Sequence, residues 1–173
     1  MINTFSTLLP LAVVASNIIA AILLVSLIFR NSFALWVGKH SLGLGLLVSL
    51  AAVAGSLFYS EIVGFEPCLL CWWQRIAVYP LSVLFLVAFM KKDRGVFKYI
   101  LPLSVIALII SLYHSYVQWG GSPLIPCDAT ASCSKLYVYE FGYITIPTMV
   151  LSVSVMMILL WRANKLYNAH RHS

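Results

Sequence analysis

Five long apolar runs constrain this chain more than any other feature. They cover about Leu8–Phe29, Ser41–Ser60, Cys71–Met90, Tyr99–Val117 and Ile146–Trp161. Each is about 16 to 22 residues long, close to the ~20 that a helix needs to cross ~30 Å of hydrocarbon. In a bilayer every backbone N–H and C=O must find a partner, which a helix supplies internally. Of the 173 residues, 62% are hydrophobic and only 9% are charged, whereas a soluble domain carries about 25% charged residues. Such a chain lacks the polar surface to fold in water. The expected fold is therefore an all-α, polytopic membrane helical bundle, with short loops and no room for a second domain. Pro80 and Pro102 fall inside two of the runs, which bundled membrane helices tolerate because neighbours or water satisfy the freed carbonyl.

The first run has no basic segment before it and ends in Arg30 rather than at a small-residue cleavage site. It is expected to be a retained anchor and not a signal peptide. Lysine and arginine cluster in three places: Arg30 and Lys39; Lys91, Lys92, Arg94 and Lys98; Arg162, Lys165 and Arg171. Five spans put these groups on one side, and the positive-inside rule makes that side the cytoplasm. Glu61, Glu66, Asp128 and Glu140 fall on the other side, with Arg75 and Lys135. The N-terminus is then outside and the C-terminus inside. The net charge of +6 reads as topology in short loops between spans, and nucleic-acid binding is not expected.

The four cysteines form two pairs, Cys68-Leu-Leu-Cys71 and Cys127-Asp-Ala-Thr-Ala-Ser-Cys133. The charge-derived topology puts all four on the outer side, where disulfides form and persist. Cys68 and Cys71 share the first turn of the third span, just after Pro67, a residue type suited to a helix start. A helix N-terminus presents free N–H groups and favours a thiolate. A Cys68–Cys71 disulfide would close a small ring, where a staple gains less than across a longer loop. Arg75 lies one turn beyond Cys71 on the same face. There it can steady a thiolate and the negative charge that develops on an oxygen acceptor; the plainer alternative is an arginine snorkelling to headgroups.

The second pair lies in the longest outer loop, from Gln118 to Thr145, behind turn-forming Gly120, Gly121, Pro123 and Pro126. A Cys127–Cys133 disulfide there is open to attack by a soluble thiol protein, or else it staples the loop. A four-thiolate zinc site is disfavoured, because two spans interrupt the cysteines and they face an oxidising space; no metal is expected. His114 lies near the outer end of the fourth span among Tyr113, Tyr116 and Trp119. It is a candidate donor to a bound acceptor, or a member of an interfacial aromatic belt.

At this point the residues resemble a known family. Glu66-Pro-Cys-Leu-Leu-Cys-Trp-Trp-Gln-Arg75 is similar to the quinone-linked motif of the disulfide bond formation protein B (DsbB) family. His114 stands before Cys127 at a distance similar to that of the family's quinone-site histidine. Phe141-Gly-Tyr-Ile-Thr-Ile-Pro-Thr148 resembles the segment leading into the family's last helix, especially in its BdbC-like branch. The likeness covers about Ser41 to Trp161. It implies a DsbB-like four-helix catalytic core over 41–165, preceded by one extra N-terminal transmembrane helix with its cytoplasmic loop (1–40) and followed by a cytoplasmic tail (166–173).

The resemblance implies a mechanism too. A thioredoxin-fold partner resembling DsbA or BdbD would attack Cys127, and Cys133 would leave. Electrons would pass to Cys68 and Cys71, and then to a quinone, either ubiquinone or menaquinone, held near Cys71, Arg75 and His114. The site would face the periplasmic or extracellular side of a bacterial inner membrane. Two features depart from the better-known members: the extra first span, and a second pair separated by only five residues, which shortens the reach of Cys133 towards Cys68. Two other readings compete. One is a quinone reductase like vitamin K epoxide reductase; the other is a non-enzymatic scaffold or transporter subunit with two structural disulfides, which predicts no bound quinone and tolerance of Arg75→Ala.

Overall fold

The computed structural model describes residues 2–122, 124 and 132–172, with side chains over 8–122, 124 and 132–171. The described chain is almost wholly helical: α1 (Ile2–Phe29), α2 (Ser32–Leu57), α3 (Leu69–Lys91), α4 (Phe97–Gln118) and α5 (Ile146–His172). All five are long and apolar enough to cross a membrane, and the protein is a multi-pass membrane protein of the expected all-α class. A π-helical turn, Phe58–Ile62, continues α2, and a 3-10 turn, Arg94–Val96, leads into α4.

Two helices run further than their apolar runs suggest. The second starts at Ser32 rather than near Ser41, because the Asn31 side chain accepts from the Ala34 N–H at 3.2 Å and caps the helix there. The last continues past Trp161 to His172, so the expected tail over 166–173 is helical as far as the described residues reach. Polar residues end a bilayer span but not a helix, and an apolar run marks only the former.

Helices α2, α3, α4 and α5 form a four-helix ring, α2 touching α3 and α5, and α4 touching the same two. Helix α1 packs outside this ring, chiefly on α5 and more lightly on α2. The ring closes tightly because small residues stand where helices cross. A Cβ on Gly38 would strike the Ala163 carbonyl and sit 2.7 Å from Tyr167 Cβ, and one on Gly45 would strike the Phe85 ring. The main core lies in this half of the bundle, around Leu23, Val37, Leu81, Phe85, Ile100, Met157 and Leu160.

The two ends of the bundle differ. At the basic end the connections are tight turns. Arg30 and Lys92 adopt left-handed backbone (φ 50° and 55°), and Asp93 caps the following turn through Gly95 N–H at 2.7 Å. Arg94 donates to Gly38 O and Asn164 Oδ1, both at 2.8 Å, and stacks over Tyr167, tying α2 to α5. At the opposite end the connections are longer, 63–68 and 119–145. The described cysteines, Cys68, Cys71 and Cys133, belong to that end.

Candidate functional site: a thiol cluster beside an apolar cavity

Cys68 is the residue before α3, with extended backbone (φ −70°, ψ 171°), and Cys71 lies in the first turn. The turn places the two sulfurs 3.1 Å apart. A disulfide bond is about 2.05 Å long, so the expected Cys68–Cys71 pair is present as two free thiols in contact. The hydrogen bond between Cys68 and Cys71, followed by burial, pushes the Cys68 thiol up to about 12; the neighbouring His114 opposes both.

His114 comes from α4. Its buried stripe is Phe97, Ile100, Ser104, Ala107, Ser111, His114 and Val117, spaced three and four apart, so one helix face aims the imidazole inward. The ring is 2% exposed. Its Nε2 lies 3.7 Å from the Cys68 sulfur and 3.2 Å from the Cys133 carbonyl oxygen. A carbonyl only accepts, so Nε2 carries a proton. Nδ1 is buried without a hydrogen-bond partner.

Cys133 joins the same cluster. It is 1% exposed and packs with Cys68, Leu70 and Val117, with Cys71 and Tyr113 against them. Although the second pair is short, Cys133 is buried in the same cluster as Cys68. Cys127 lies outside the described residues, and Cys133 is a free thiol like Cys68 and Cys71. The Cys68, Cys71 and His114 ligand atoms all lie within 4.8 Å of one another. Two thiolates on tetrahedral zinc would sit about 3.7 Å apart, given Zn–S bonds of about 2.3 Å. The closer sulfurs suit thiol–disulfide chemistry better.

Cys71 also faces a second feature, a cavity of about 330 Å³ between α1, α2, α3 and α5. At its outer end it is lined by Cys71, Gln74, Arg75, Tyr79, Tyr59 and Glu66. Arg75 is held from α2: its Nε donates to Ser56 Oγ at 3.0 Å and an Nη to the Ser56 carbonyl at 3.2 Å. Tyr79 donates to the same Ser56 hydroxyl at 3.1 Å, and Trp72 lies under the guanidinium at 5.2 Å. Ser56 lies two residues before the π turn, a local widening of the helix that often marks functional sites. Above the cavity, Tyr59, Phe65 and Tyr137 stack at 5.8 and 4.8 Å, which ties the outer loop to the cavity rim.

Two polar groups at the cavity have no hydrogen-bond partner although they are buried: Gln74 Nε2 and the Tyr59 hydroxyl. Leaving a buried donor unpaired costs about 1–3 kcal/mol. Both groups can donate to an acceptor in the cavity, beside the guanidinium of Arg75. A quinone, whose ring offers two carbonyl oxygens as acceptors, fits that donor set.

The structure thus separates residues that the resemblance places together. Cys71 and Arg75 share the cavity, whereas His114 does not line it and sits on the thiol side against Cys68 and Cys133. Gln74 was visible only as part of a motif. Tyr59 and Ser56 carried no signal, because their roles depend on how α2 is rotated against α3.

The family model described as "Disulfide bond formation protein DsbB" matches residues 38–163. The SPbeta prophage-derived disulfide bond formation protein B of Bacillus subtilis (strain 168) is 44% identical over 103 residues, 59% of this chain and 70% of that protein. Disulfide bond formation protein C of the same organism is 42% identical over 115 residues, covering 65% and 83%. A probable disulfide formation protein of Coxiella burnetii (strain RSA 493 / Nine Mile phase I) is 37% identical over 122 residues, covering 69% and 83%. No solved structure matches.

Proposed function

The chain belongs to the DsbB family of disulfide bond formation proteins, and from that premise we propose that it is a quinone-dependent thiol oxidase that reoxidises a thioredoxin-fold partner resembling DsbA or BdbD. Membership makes it a membrane oxidoreductase of disulfide formation. The finer reading rests on one observation: Cys71 is the thiol common to the buried cysteine cluster and to the cavity lined by Arg75, Gln74 and Tyr59.

In this reading the cysteine end faces the periplasmic or extracellular side, with the basic turns in the cytoplasm. A thiolate of the reduced partner attacks the Cys127 sulfur of a Cys127–Cys133 disulfide, and Cys133 leaves as a thiolate. Cys133 attacks the Cys68 sulfur of an oxidised C-x-x-C pair, forming Cys68–Cys133 and releasing Cys71. The second partner thiolate resolves the mixed disulfide at Cys127 and releases the oxidised partner. Cys127 then attacks Cys133, restoring their disulfide and freeing Cys68. The net result is one disulfide in the partner and two thiols at Cys68 and Cys71.

His114 holds Cys133 against Cys68 through its hydrogen bond to the Cys133 carbonyl, and it stands beside the sulfur that changes partner. Arg75, fixed by Ser56, places its positive charge one turn from Cys71. A membrane quinone would supply the oxidising capacity, taking up two electrons and two protons for each disulfide made. Gln74, Tyr59 and Arg75 are the residues that would hold its carbonyl oxygens.

The test is quinone reduction, followed by absorbance, when the purified protein in detergent meets a reduced DsbA-like partner. Turnover is expected in the wild type and absent in Cys68→Ser and Cys127→Ser. Arg75→Ala should raise the quinone KM about 10- to 100-fold, the worth of one charge-assisted hydrogen bond. Wild-type protein that reduces no quinone with any such partner would refute the proposal.

A further inference from the structure

Helix α1 contributes a wall to the cavity that starts at Arg75. Its lining residues are Leu9, Ala12, Val13 and Ser16, spaced i, i+3, i+4 and i+7, so they form one helix face. In its inner half α1 is held to the bundle by buried Ala20, Leu23 and Ser26. In its outer half Pro10 is buried as well, and between these points the space left among α1, α2, α3 and α5 is the cavity. Near its outer end it comes close to α2: a Cβ on Gly55 would lie 3.4 Å from Leu9 Cδ2. Gly55 precedes Ser56, the residue that fixes Arg75.

The cavity is also graded in polarity. Its outer end carries Arg75, Gln74, Tyr59 and Tyr79, whereas its deeper lining includes Leu47, Val48 and Val153. On α2 the lining runs from Leu47 to Ser60, about 20 Å at 1.5 Å per residue. A small ring with carbonyl oxygens, followed by a linear hydrocarbon, matches this gradient. The family match begins at residue 38, so α1 lies outside the matched core and its wall is an addition to it.

We propose that α1 is part of the quinone site, with the Leu9–Ala12–Val13–Ser16 face lying along the isoprenoid tail of a quinone whose ring sits at Arg75. The inference rests on the quinone reading above and adds the tail's path and a specificity element. Without α1 the groove between α2 and α5 would open to lipid, and any tail would leave it freely. With α1 in place the groove is walled, and tail length and bulk become part of recognition.

The experiment uses the full chain in detergent and two quinones with the same ring, one with a long isoprenoid tail and one without. Binding is titrated by quenching of tryptophan fluorescence, since Trp72 lies beside Arg75, and the quinone KM is measured alongside. Val13→Phe and Ser16→Leu narrow the cavity from α1, and Leu11→Phe, on the lipid-facing side, is the control. Thiol exchange with the reduced partner, without quinone, reports that each variant is folded. Val13→Phe and Ser16→Leu should weaken binding of the long-tailed quinone about tenfold, the scale of a methylene-sized misfit in an apolar pocket. They should raise its KM in parallel and leave the tail-less quinone and the Leu11→Phe variant at wild-type values. Folded narrowing variants that bind the long-tailed quinone as the wild type does would overturn the α1 path while the quinone reading stood. Equal weakening for both quinones would also overturn it, placing the ring rather than the tail at α1. Wild-type protein that binds neither quinone would remove both readings together.

Discussion

The Nε2 of His114 lies 3.7 Å from the Cys68 sulfur, so a side chain from the fourth helix meets the residue that starts the third. The same nitrogen donates to the Cys133 carbonyl at 3.2 Å. One imidazole therefore fixes the approach of two cysteines that are distant in sequence. In His114→Phe the ring volume is largely kept and the tether is lost. Electron transfer from Cys133 to the Cys68–Cys71 pair should slow about 10- to 100-fold, within the range for loss of a positioned polar group near reacting atoms. Single-turnover thiol transfer from the reduced partner measures this step, and the KM for quinone should change little because His114 does not line the cavity. A selective rise in quinone KM with unchanged thiol transfer would put the histidine on the other side of Cys71.

The reduced pair should titrate unevenly. The Cys68 thiol is pushed up to about 12 by its hydrogen bond to Cys71 and by burial. A raised thiol stays protonated as pH rises, and only the thiolate alkylates. In the reduced protein, Cys68 alkylation should therefore still be climbing above pH 9, where an ordinary thiol is mostly ionised. In Cys71→Ala the largest raising cause is gone, and the Cys68 profile should move to lower pH. Iodoacetamide labelling read by peptide mass spectrometry gives both curves. Coincident curves in the two proteins would show that Cys71 does not hold the Cys68 proton.

The crossing of α2 and α5 sets a stability limit. Gly38→Ala would drive a methyl into the Ala163 backbone carbonyl and towards Tyr167 Cβ, neither of which yields easily. Overpacking of this kind costs about 1–3 kcal/mol, so the thermal transition in detergent should fall. Gly43 is the comparison, since its added Cβ meets only the edge of the Phe89 ring at 3.4 Å. Gly43→Ala should be neutral or slightly stabilising, because alanine is a better helix former by about 1 kcal/mol. Equal Tm values for the two variants would mean that the α2–α5 contact is looser than described.

The membrane spans were legible because lipid selects on length and apolarity, which are properties of a run and need no partner. The C-x-x-C pair and Arg75 were legible for a similar reason, since a helix turn alone brings them to one face. What spacing does not encode is which helix faces meet. Ser56 and Tyr59 reach Arg75 and the cavity only through the rotation of α2 and its π turn. His114 stands out in the sequence as a candidate, yet which side of the cluster it faces depends on the packing of α4 against the start of α3. Cys133 was the hardest to place, because five intervening residues limit its distance from Cys127 and say nothing of where the loop folds.

The placement of Cys133 gives the sharpest test of the relay. Cys133 is buried in one cluster with Cys68, and a Cys68–Cys133 disulfide is the relay's expected intermediate. In Cys71→Ser, Cys68 loses its exchange partner in the C-x-x-C pair. It should then attack Cys133 and displace Cys127. Non-reducing peptide mapping should find the Cys68–Cys133 crosslink in most of the Cys71→Ser protein and none in Cys71→Ser/Cys133→Ser. The freed Cys127 should label with a thiol reagent that leaves it unlabelled in the oxidised wild type. If Cys71→Ser instead kept Cys127 paired with Cys133 and left Cys68 as a free thiol, electrons would have to reach the C-x-x-C pair by a route other than Cys133.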